Sequence, residues 1–451
     1  MTDDRVPVLI NRRFARLWVG QAISLVGDYV FETTVVLWIA VVIAKGEAWA
    51  PAAAGAAFVV AIVPIVLIGP IAGVFVDRWD FKRTMLVNDL VRAAVAGALV
   101  AVPLLPDGAL PVAAQLTIVY AAVFLVSASS QFFTPARFAI LGDVMDPADR
   151  ARASSIGQGT GAIASIIGPP LAAPLLFTAG VEWALAINAA SFLLSFVAIR
   201  SVQVPEGLTR PAPAGRSNAW REFVGGLQFF GRSRVLVTVA IAAMITLFGA
   251  GSINALDVFF VTTNLGVDPK LYGLFGTGFG VGSMVGAIVA GLIANRLGLT
   301  RTYWVTMLVA GVLTVGYARA TNFGGGLLLL TLAAVPIAAL NSVVGPIILR
   351  VTPREYLGRV ISAFQTAVKL CTMLSIGIAG WLASSVLRGL DTTVGGVHLR
   401  TYDTIFAVAG LLTVGGAIFA MVMLRGADAP EPAAPSTVDD VSPAPLQPDA
   451  V

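Results

Sequence analysis

The stretch Gly73-Val-Phe-Val-Asp77-Arg78-Trp-Asp80-Phe-Lys82-Arg83 returns later in the chain as Gly291-Leu-Ile-Ala-Asn295-Arg296-Leu-Gly298-Leu-Thr-Arg301. The glycine, the acid or amide, and the arginine keep the same spacing in both copies. Each copy follows a long apolar run. A second pair sits further along: Met145-Asp-Pro147-Ala-Asp149-Arg-Ala-Arg152 is echoed by Val351-Thr-Pro353-Arg-Glu355-Tyr-Leu-Gly-Arg359. A chain that repeats its charged loops at matching places reads as two related halves. Two such repeats around a midplane site are the architecture of many secondary transporters.

Working outward from these loops, the rest of the chain is apolar. Of its 451 residues, 57% are hydrophobic and 12% charged, where a soluble domain carries about 25% charged residues. Apolar spans fall at about 17–43, 52–76, 84–105, 111–134, 153–178, 182–199, 235–262, 272–294, 303–320, 326–349, 360–386 and 403–424. Each is long enough for a bilayer core, which takes roughly 20 apolar residues per helix. The first run continues straight into the next and does not read as a cleaved signal peptide. The expected fold is an all-α membrane protein with twelve transmembrane helices. Residues 1–200 form a first six-helix half and residues 235–425 a second. Residues 201–234 form a cytoplasmic linker, rich in proline and glycine at its start, with a short amphipathic helix near Trp220. The tail 426–451 has six prolines, five acids and no base. It has too little apolar surface to fold and is expected to be disordered.

The cations give the orientation. With the N-terminus inside, 23 of the 29 Lys and Arg residues fall in inner segments, Arg92 counted among them, and five in outer loops. This bias places both termini in the cytoplasm and the protein in the plasma or inner membrane, crossing it many times. It also supports the count of twelve spans, since a missed span would invert every later loop.

Composition excludes several chemistries. The single cysteine, Cys371, admits no internal disulfide, and the single histidine, His398, lies in a polar loop. A Cys/His metal cluster and a histidine proton relay are therefore ruled out, and no cofactor is expected. None of the four lysines sits in a phosphate-binding loop of the G-x-x-x-x-G-K-[ST] type. The net charge of +4 is no nucleic-acid signal in a chain of this kind. No constellation of an enzyme is present.

The run Gly73 to Met85 resembles the signature loop of the major facilitator superfamily, G-x-L-a-D-r-x-G-r-k-x-x-L. Gly73, Asp77, Arg78 and Lys82 match; Phe75, Asp80, Phe81 and Met85 depart from it. The resemblance covers residues 12–425 and is closest to a drug-exporter branch that includes macrolide and siderophore exporters. Arg16 to Asp28, Phe133-Thr-Pro135-Ala-Arg137 and Ile167-Gly168-Pro169 carry it. The resemblance implies the major facilitator fold. It also implies a gating loop at Gly73, Asp77, Arg78 and Lys82, with Gly291, Asn295 and Arg296 in the second half. Gly168-Pro169 resembles the antiporter motif of the fifth helix, with Ala164, Ala172 and Ala173 where glycines are expected. Small residues and a proline there would bring the helix close to its neighbour and bend it. Ordinary small-residue packing explains the same residues equally well. One departure stands out: drug-proton antiporters of the superfamily usually carry an arginine in helix four, and span 111–134 has no arginine or lysine.

Ionisable residues at membrane depth are expensive and mark function by default. Asp28 and Glu32 are four residues apart, on one helix face. Counted from Arg16, Asp28 lies ~18 Å deep and Glu32 ~24 Å. Two carboxylates this close in a low dielectric do not both ionise easily, which suits a group that takes up and releases a proton. The alternative is that Asp28 bonds a neighbouring helix while Glu32 meets outer water. Lys369, ~15 Å past Arg359, is the base near mid-membrane. It can pair with Asp28 or Glu32, meet an anionic group of a substrate, or be purely structural. Asp257 and Asn254 complete the candidates for proton or substrate binding. Asp257 is placed at the outer interface, where a charge is cheap, with Asn254 as its polar partner. Gly278, Gly282, Gly286 and Ala290 form a small-residue stripe that reads as a helix-contact face.

The expected function is proton-coupled efflux of small amphipathic or lipophilic compounds by alternating access. The partners are a small-molecule substrate, protons and the lipid bilayer, and the protein is read as a monomer. An uptake carrier or a lysolipid flippase of the same fold is the alternative within transport. A non-transporting receptor or scaffold is the alternative outside it, and would have no use for buried Asp28, Glu32 and Lys369.

Overall fold

The computed structural model describes residues 5–6, 10–76, 78–106, 108–146, 149–203, 228, 230–353, 356–394 and 396–425. Asp77, the linker around Trp220 and the tail after Arg425 lie outside them. The helices in the first half are α1 (Arg12–Leu37), α2 (Ala50–Leu67), α3 (Gly69–Val76), α4 (Phe81–Leu99), α5 (Val112–Val144), α6 (Arg150–Pro174) and α7 (Val181–Arg200). Those of the second are α8 (Arg234–Phe259), α9 (Gly273–Leu297), α10 (Leu299–Ala318), α11 (Phe323–Val351), α12 (Leu357–Trp381) and α13 (Thr401–Met423). The second span is the pair α2–α3, interrupted at Ile68, two residues before Pro70, which has no backbone donor for the next turn. Short strand pairs occur at β1 (Arg5–Val6) with β2 (Ile10–Asn11) and at β3 (Asp391–Val394) with β4 (Val397–Arg400). The second pair is a hairpin that apolar periodicity did not announce.

Eleven helices among the described residues are long and apolar enough to cross a membrane. The twelfth is α4. Its 19 residues carry Lys82, Arg83, Asp89 and Arg92, yet it packs along α5 and α7 as a full member of the bundle. Arg92 is only 3% exposed. It belongs inside a span, so its place among the loop cations is corrected. The charge bias loses one residue and keeps its sign.

The duplication read from the loops extends to the packing. In the first half α1 packs on α6 and α7, α4 on α5 and α7, and α2 on α5. In the second half α8 packs on α12 and α13, α10 on α11 and α13, and α9 on α11. Each contact has its counterpart. Between the halves the main contacts are α6 with α9 and α2 with α12, and these two exchange under the same correspondence. The bundle is therefore two copies of one six-helix plan related by a pseudo-twofold axis.

The bundle has two unlike ends. The basic end carries the start of α1, the ends of α7 and α9, and the start of α8, with Arg12, Arg200, Arg234 and Arg296. At the opposite, far end one apolar core spans both halves, from Val35, Ala54 and Ala173 to Ala255, Ile376 and Phe406. Toward the basic end the core divides. One cluster, with Phe14, Met85 and Ile199, belongs to the first half; another, with Leu236, Tyr303 and Val360, belongs to the second. Cross-half backbone approaches run from the far end toward mid-helix: Gly273 and Gly276 of α9 against Pro169 of α6, Gly280 against Ile166, and Gly380 of α12 against Ala52 of α2. Among the described residues one apolar core joins the halves at the far end, and toward the basic end it gives way to a separate cluster in each half.

The small-residue stripe on α9 is the helix contact expected of it. Side chains added at Gly282 and Gly286 would fall on the carbonyl oxygens of Thr331 and Val335 in α11. Gly286→Leu is accordingly expected to push these helices apart, at a cost of about 1–3 kcal/mol or more. A lower unfolding temperature of the purified protein checks this; an unchanged one contradicts it.

Candidate functional site

The centre of the first half is built on α1. Asn11 caps this helix by accepting from the Phe14 amide at 2.7 Å, and its side-chain amide donates to the Val144 carbonyl at 3.1 Å, anchoring the start of α1 to the end of α5. From that anchor the 3.6-residue period carries Asp28 and Glu32 to the same face. Both line one cavity of about 240 Å³ with Phe31, Ala57, Ser127 and Ser130. Asp28 is half-buried. Glu32 is exposed, and the space it meets is the wall of this cavity inside the bundle. The Ser127 hydroxyl donates to the Ala61 carbonyl at 2.6 Å, which ties α5 to α2 behind the carboxylates.

Lys369 is half-buried on α12 of the second half. Of the two partners open to it, the structure sets it within electrostatic reach of Glu32. The charges of the site thus come from both halves, across the interface that alternating access would have to open and close.

Asp28 has a different cation. Arg92 acts on it from α4, together with Asp89. Arg92 and Asp89 form an i,i+3 ion pair, with side chains 4% and 0% exposed. The guanidinium lies between the rings of Phe133 and Phe192, 4.2 and 4.5 Å from their centroids, a sandwich that holds a desolvated cation by its flat faces. The Ser195 side chain hydrogen-bonds Asp89, and Nε of Arg92 and Nδ2 of Asn188 are buried beside them. Span three, read as plain apolar sequence, missed this pair. The spacing Asp89-x-x-Arg92 within an apolar run was the available signal.

Asp257 lies elsewhere than expected. It is 8% exposed, inside the second half rather than at an interface with water. The Tyr317 hydroxyl of α10 donates to its carboxylate at 2.5 Å, and Tyr272, just before α9, supplies a further side-chain hydrogen bond. Asn254 is exposed; two tyrosines take the partner's role intended for it. The three residues lock α8, α10 and the entry to α9 together at the far end.

The loop residues are also placed. Lys82 donates from Nζ to the carbonyls of Arg200 and Val202, at 3.0 and 2.7 Å. It closes the C-terminal end of α7, where unpaired carbonyls favour a cation. Arg78, Asn295 and Arg296 are exposed at the basic end, and a side chain added at Gly73 or Gly291 would meet open space. Gly168 lies against Tyr29 of α1, and Pro169 against Gly273 and Gly276 of α9. The Gly168-Pro169 step therefore serves as a three-helix junction between the halves. α6 runs on through Pro169, Pro170 and Pro174 into a π-turn at Leu175–Ala179.

The comparisons agree with this architecture. The family model for the Major Facilitator Superfamily matches residues 17–263 and 239–449. An uncharacterised MFS-type transporter, YfiS, of Bacillus subtilis is 25% identical over 368 residues, covering 78% of this chain and 82% of that protein. Macrolide efflux protein A of Streptococcus pyogenes is 24% identical over 244 residues, 54% of this chain and 57% of that protein. The putative bacilysin exporter BacE of Bacillus subtilis is 27% identical over 185 residues, 41% of this chain and 43% of that protein. Among solved structures, a bacterial homologue of the iron transporter ferroportin in an inward-facing state superposes with a TM-score of 0.71 at 13% identity, over 93% of this chain and 99% of that one. The nucleoside transporter NupG does so with a TM-score of 0.70 at 13% identity, over 92% and 99%. At such identities the structures speak for the fold alone. These relatives and neighbours are transporters, not enzymes. With the family model matched across both halves, the chain belongs to the Major Facilitator Superfamily of membrane transporters.

Proposed function

We propose that the chain exports small amphipathic or lipophilic compounds against their gradient, coupled to protons, by alternating access. One observation carries the reading: Glu32, at membrane depth, lines a cavity with Asp28 one helical turn away. A carboxylate there accepts a cation when ionised and releases it when protonated, which is the exchange an antiporter needs. Lys369, reaching Glu32 from the opposite half, links that exchange to movement between the halves. Two of the relatives are named as efflux proteins or exporters, which supports export over uptake.

In this reading the basic end faces the cytoplasm of the plasma or inner membrane, and both termini lie there. The basic end, where the apolar core divides between the halves, is then the entrance for substrate. Residues 1–200 and 235–425 move as two bodies joined by 201–234, and the protein acts as a monomer. Gly73, Asp77, Arg78 and Lys82, with Gly291, Asn295 and Arg296, form the latch that closes the basic end in the other state. Gly168-Pro169 is the junction about which α6 shifts. Asp257 and Asn254 remain the second half's candidates for proton or substrate binding.

Efflux from everted membrane vesicles, with a panel of lipophilic dyes and antibiotics, tests the reading. Uptake into the vesicles that rises with an imposed pH gradient is expected. Transport in the reverse direction would favour an uptake carrier, and movement of lysolipid alone a flippase. No movement of any compound would leave a receptor or scaffold.

A further inference from the structure

The pseudo-twofold relation pairs α1 with α8 residue by residue. Each begins at an arginine, Arg12 or Arg234, runs 26 residues, and passes directly into a π-turn. In this register Gly27 and Gly249 coincide, and both hold their helix against its counterpart neighbour, α7 or α13. Asp28 then corresponds to Ala250, and Glu32 to Asn254. The acidic face of the first half has an uncharged twin in the second.

That twin also borders a cavity. It measures about 450 Å³, and its wall includes Ala250, Thr246, Thr314, Asn341, Gly345 and Gln365. It runs between α8, α10, α11, α12 and α13, and among the described residues no charged side chain lines it. The threonine hydroxyl of Thr246 is tied to its own helix, donating to the Ala242 carbonyl at 3.1 Å. Asn341 and Gln365 are different: both are exposed amides on this wall, each able to donate and accept. A side chain added at Gly345 would meet open space. Val368 closes the wall on α12, and the next residue, Lys369, acts on Glu32. One helix, α12, thus borders this cavity and carries the lysine that acts on the wall of the first.

Resting on the export reading, we infer that the second-half cavity is a subsite for the uncharged, hydrogen-bonding body of a substrate whose single cationic centre goes to Asp28 and Glu32. The charge count sets the single cation. Once a bound cation has displaced the proton held by the two acids, Asp28, Glu32 and Lys369 sum to one net negative charge, the Asp89–Arg92 pair beside Asp28 adding none, and one ammonium neutralises it. The size suits a compact body, since pockets of about 300–1,000 Å³ hold drug-sized ligands. The chemistry of the wall is apolar surface with a few placed amides, which orients a ligand without demanding charge on it. Asymmetry between twin cavities makes the substrate bind one way round.

Binding to the purified full-length protein tests this with two probes. Quinine is a monocation with a hydroxyl-bearing body; tetraphenylphosphonium is a monocation whose body forms no hydrogen bonds. The double variant Asn341→Ala, Gln365→Ala is expected to weaken quinine about tenfold, the loss of two neutral hydrogen bonds, and to leave tetraphenylphosphonium within about twofold. Gly345→Leu, which fills the cavity, is expected to weaken quinine while the protein keeps its unfolding temperature. Equal losses for both probes, or no loss for quinine with either variant, would overturn the subsite and leave the export reading standing. If neither probe binds the wild type, or Glu32→Gln changes neither, the export reading fails and the subsite with it.

Discussion

Glu32→Gln is expected to abolish the pH dependence of transport while leaving the protein folded and in the membrane. The substitution keeps the volume and shape of the side chain and fixes its charge at that of the protonated state. Affinity for a monocationic substrate should fall about tenfold or more, the worth of one charge-assisted hydrogen bond. Residual transport should no longer respond to an imposed pH gradient. Asp28→Asn, on the same cavity wall, should weaken cation binding as well. Lys369→Ala should be partly rescued by Glu32→Gln, because removing one partner leaves the other charge uncompensated at membrane depth and removing both leaves none. Transport by Glu32→Gln and Asp28→Asn with unaltered pH dependence would place the coupling group elsewhere, and Asp257 would be next to test.

Arg92→Met is expected to damage the fold before it damages transport. The substitution leaves Asp89, whose side chain is fully buried, without its cation. Breaking such a pair from one side costs about 3–5 kcal/mol. The methionine still fills the slot between Phe133 and Phe192. Asp89→Leu combined with Arg92→Met removes both charges and should recover most of that loss, since paired buried charges give back little beyond their desolvation. Unfolding temperatures of the single and double variants in detergent decide it. A single variant as stable as the wild type would mean that the pair is not the anchor of α4.

These two predictions mark what could and could not be read along the chain. The twelve spans, their order and the duplication were legible because a bilayer imposes length and apolarity on every helix and the loops carry the cations. Asp28 and Glu32 stood out because a charge in an apolar run is conspicuous, and the four-residue spacing sets both on one face. Arg92 was equally conspicuous but lay near enough to the loop at Lys82 to be counted with it. Its burial depends on Phe133 and Phe192, distant residues that only the packed bundle brings to it. Asp257 was misplaced for the same reason. Distance along a helix gives depth, whereas Tyr272 and Tyr317 determine whether water is there. The division of the core toward one end depends on how the two halves pack, and no single segment encodes it. The second cavity has no signature of its own in the chain, since Asn341 and Gln365 are ordinary residues until α11 and α12 set them on one wall.

Proton release on substrate binding tests the central claim most directly. The purified protein in weakly buffered solution, near neutral pH, is mixed with a monocationic substrate while a pH indicator is followed. The account predicts that protons leave the wild-type protein as the cation binds, and that Glu32→Gln releases fewer or none at matched occupancy. Binding of the cation by the wild type with no proton release across the pH range, or equal release from both proteins, would contradict it.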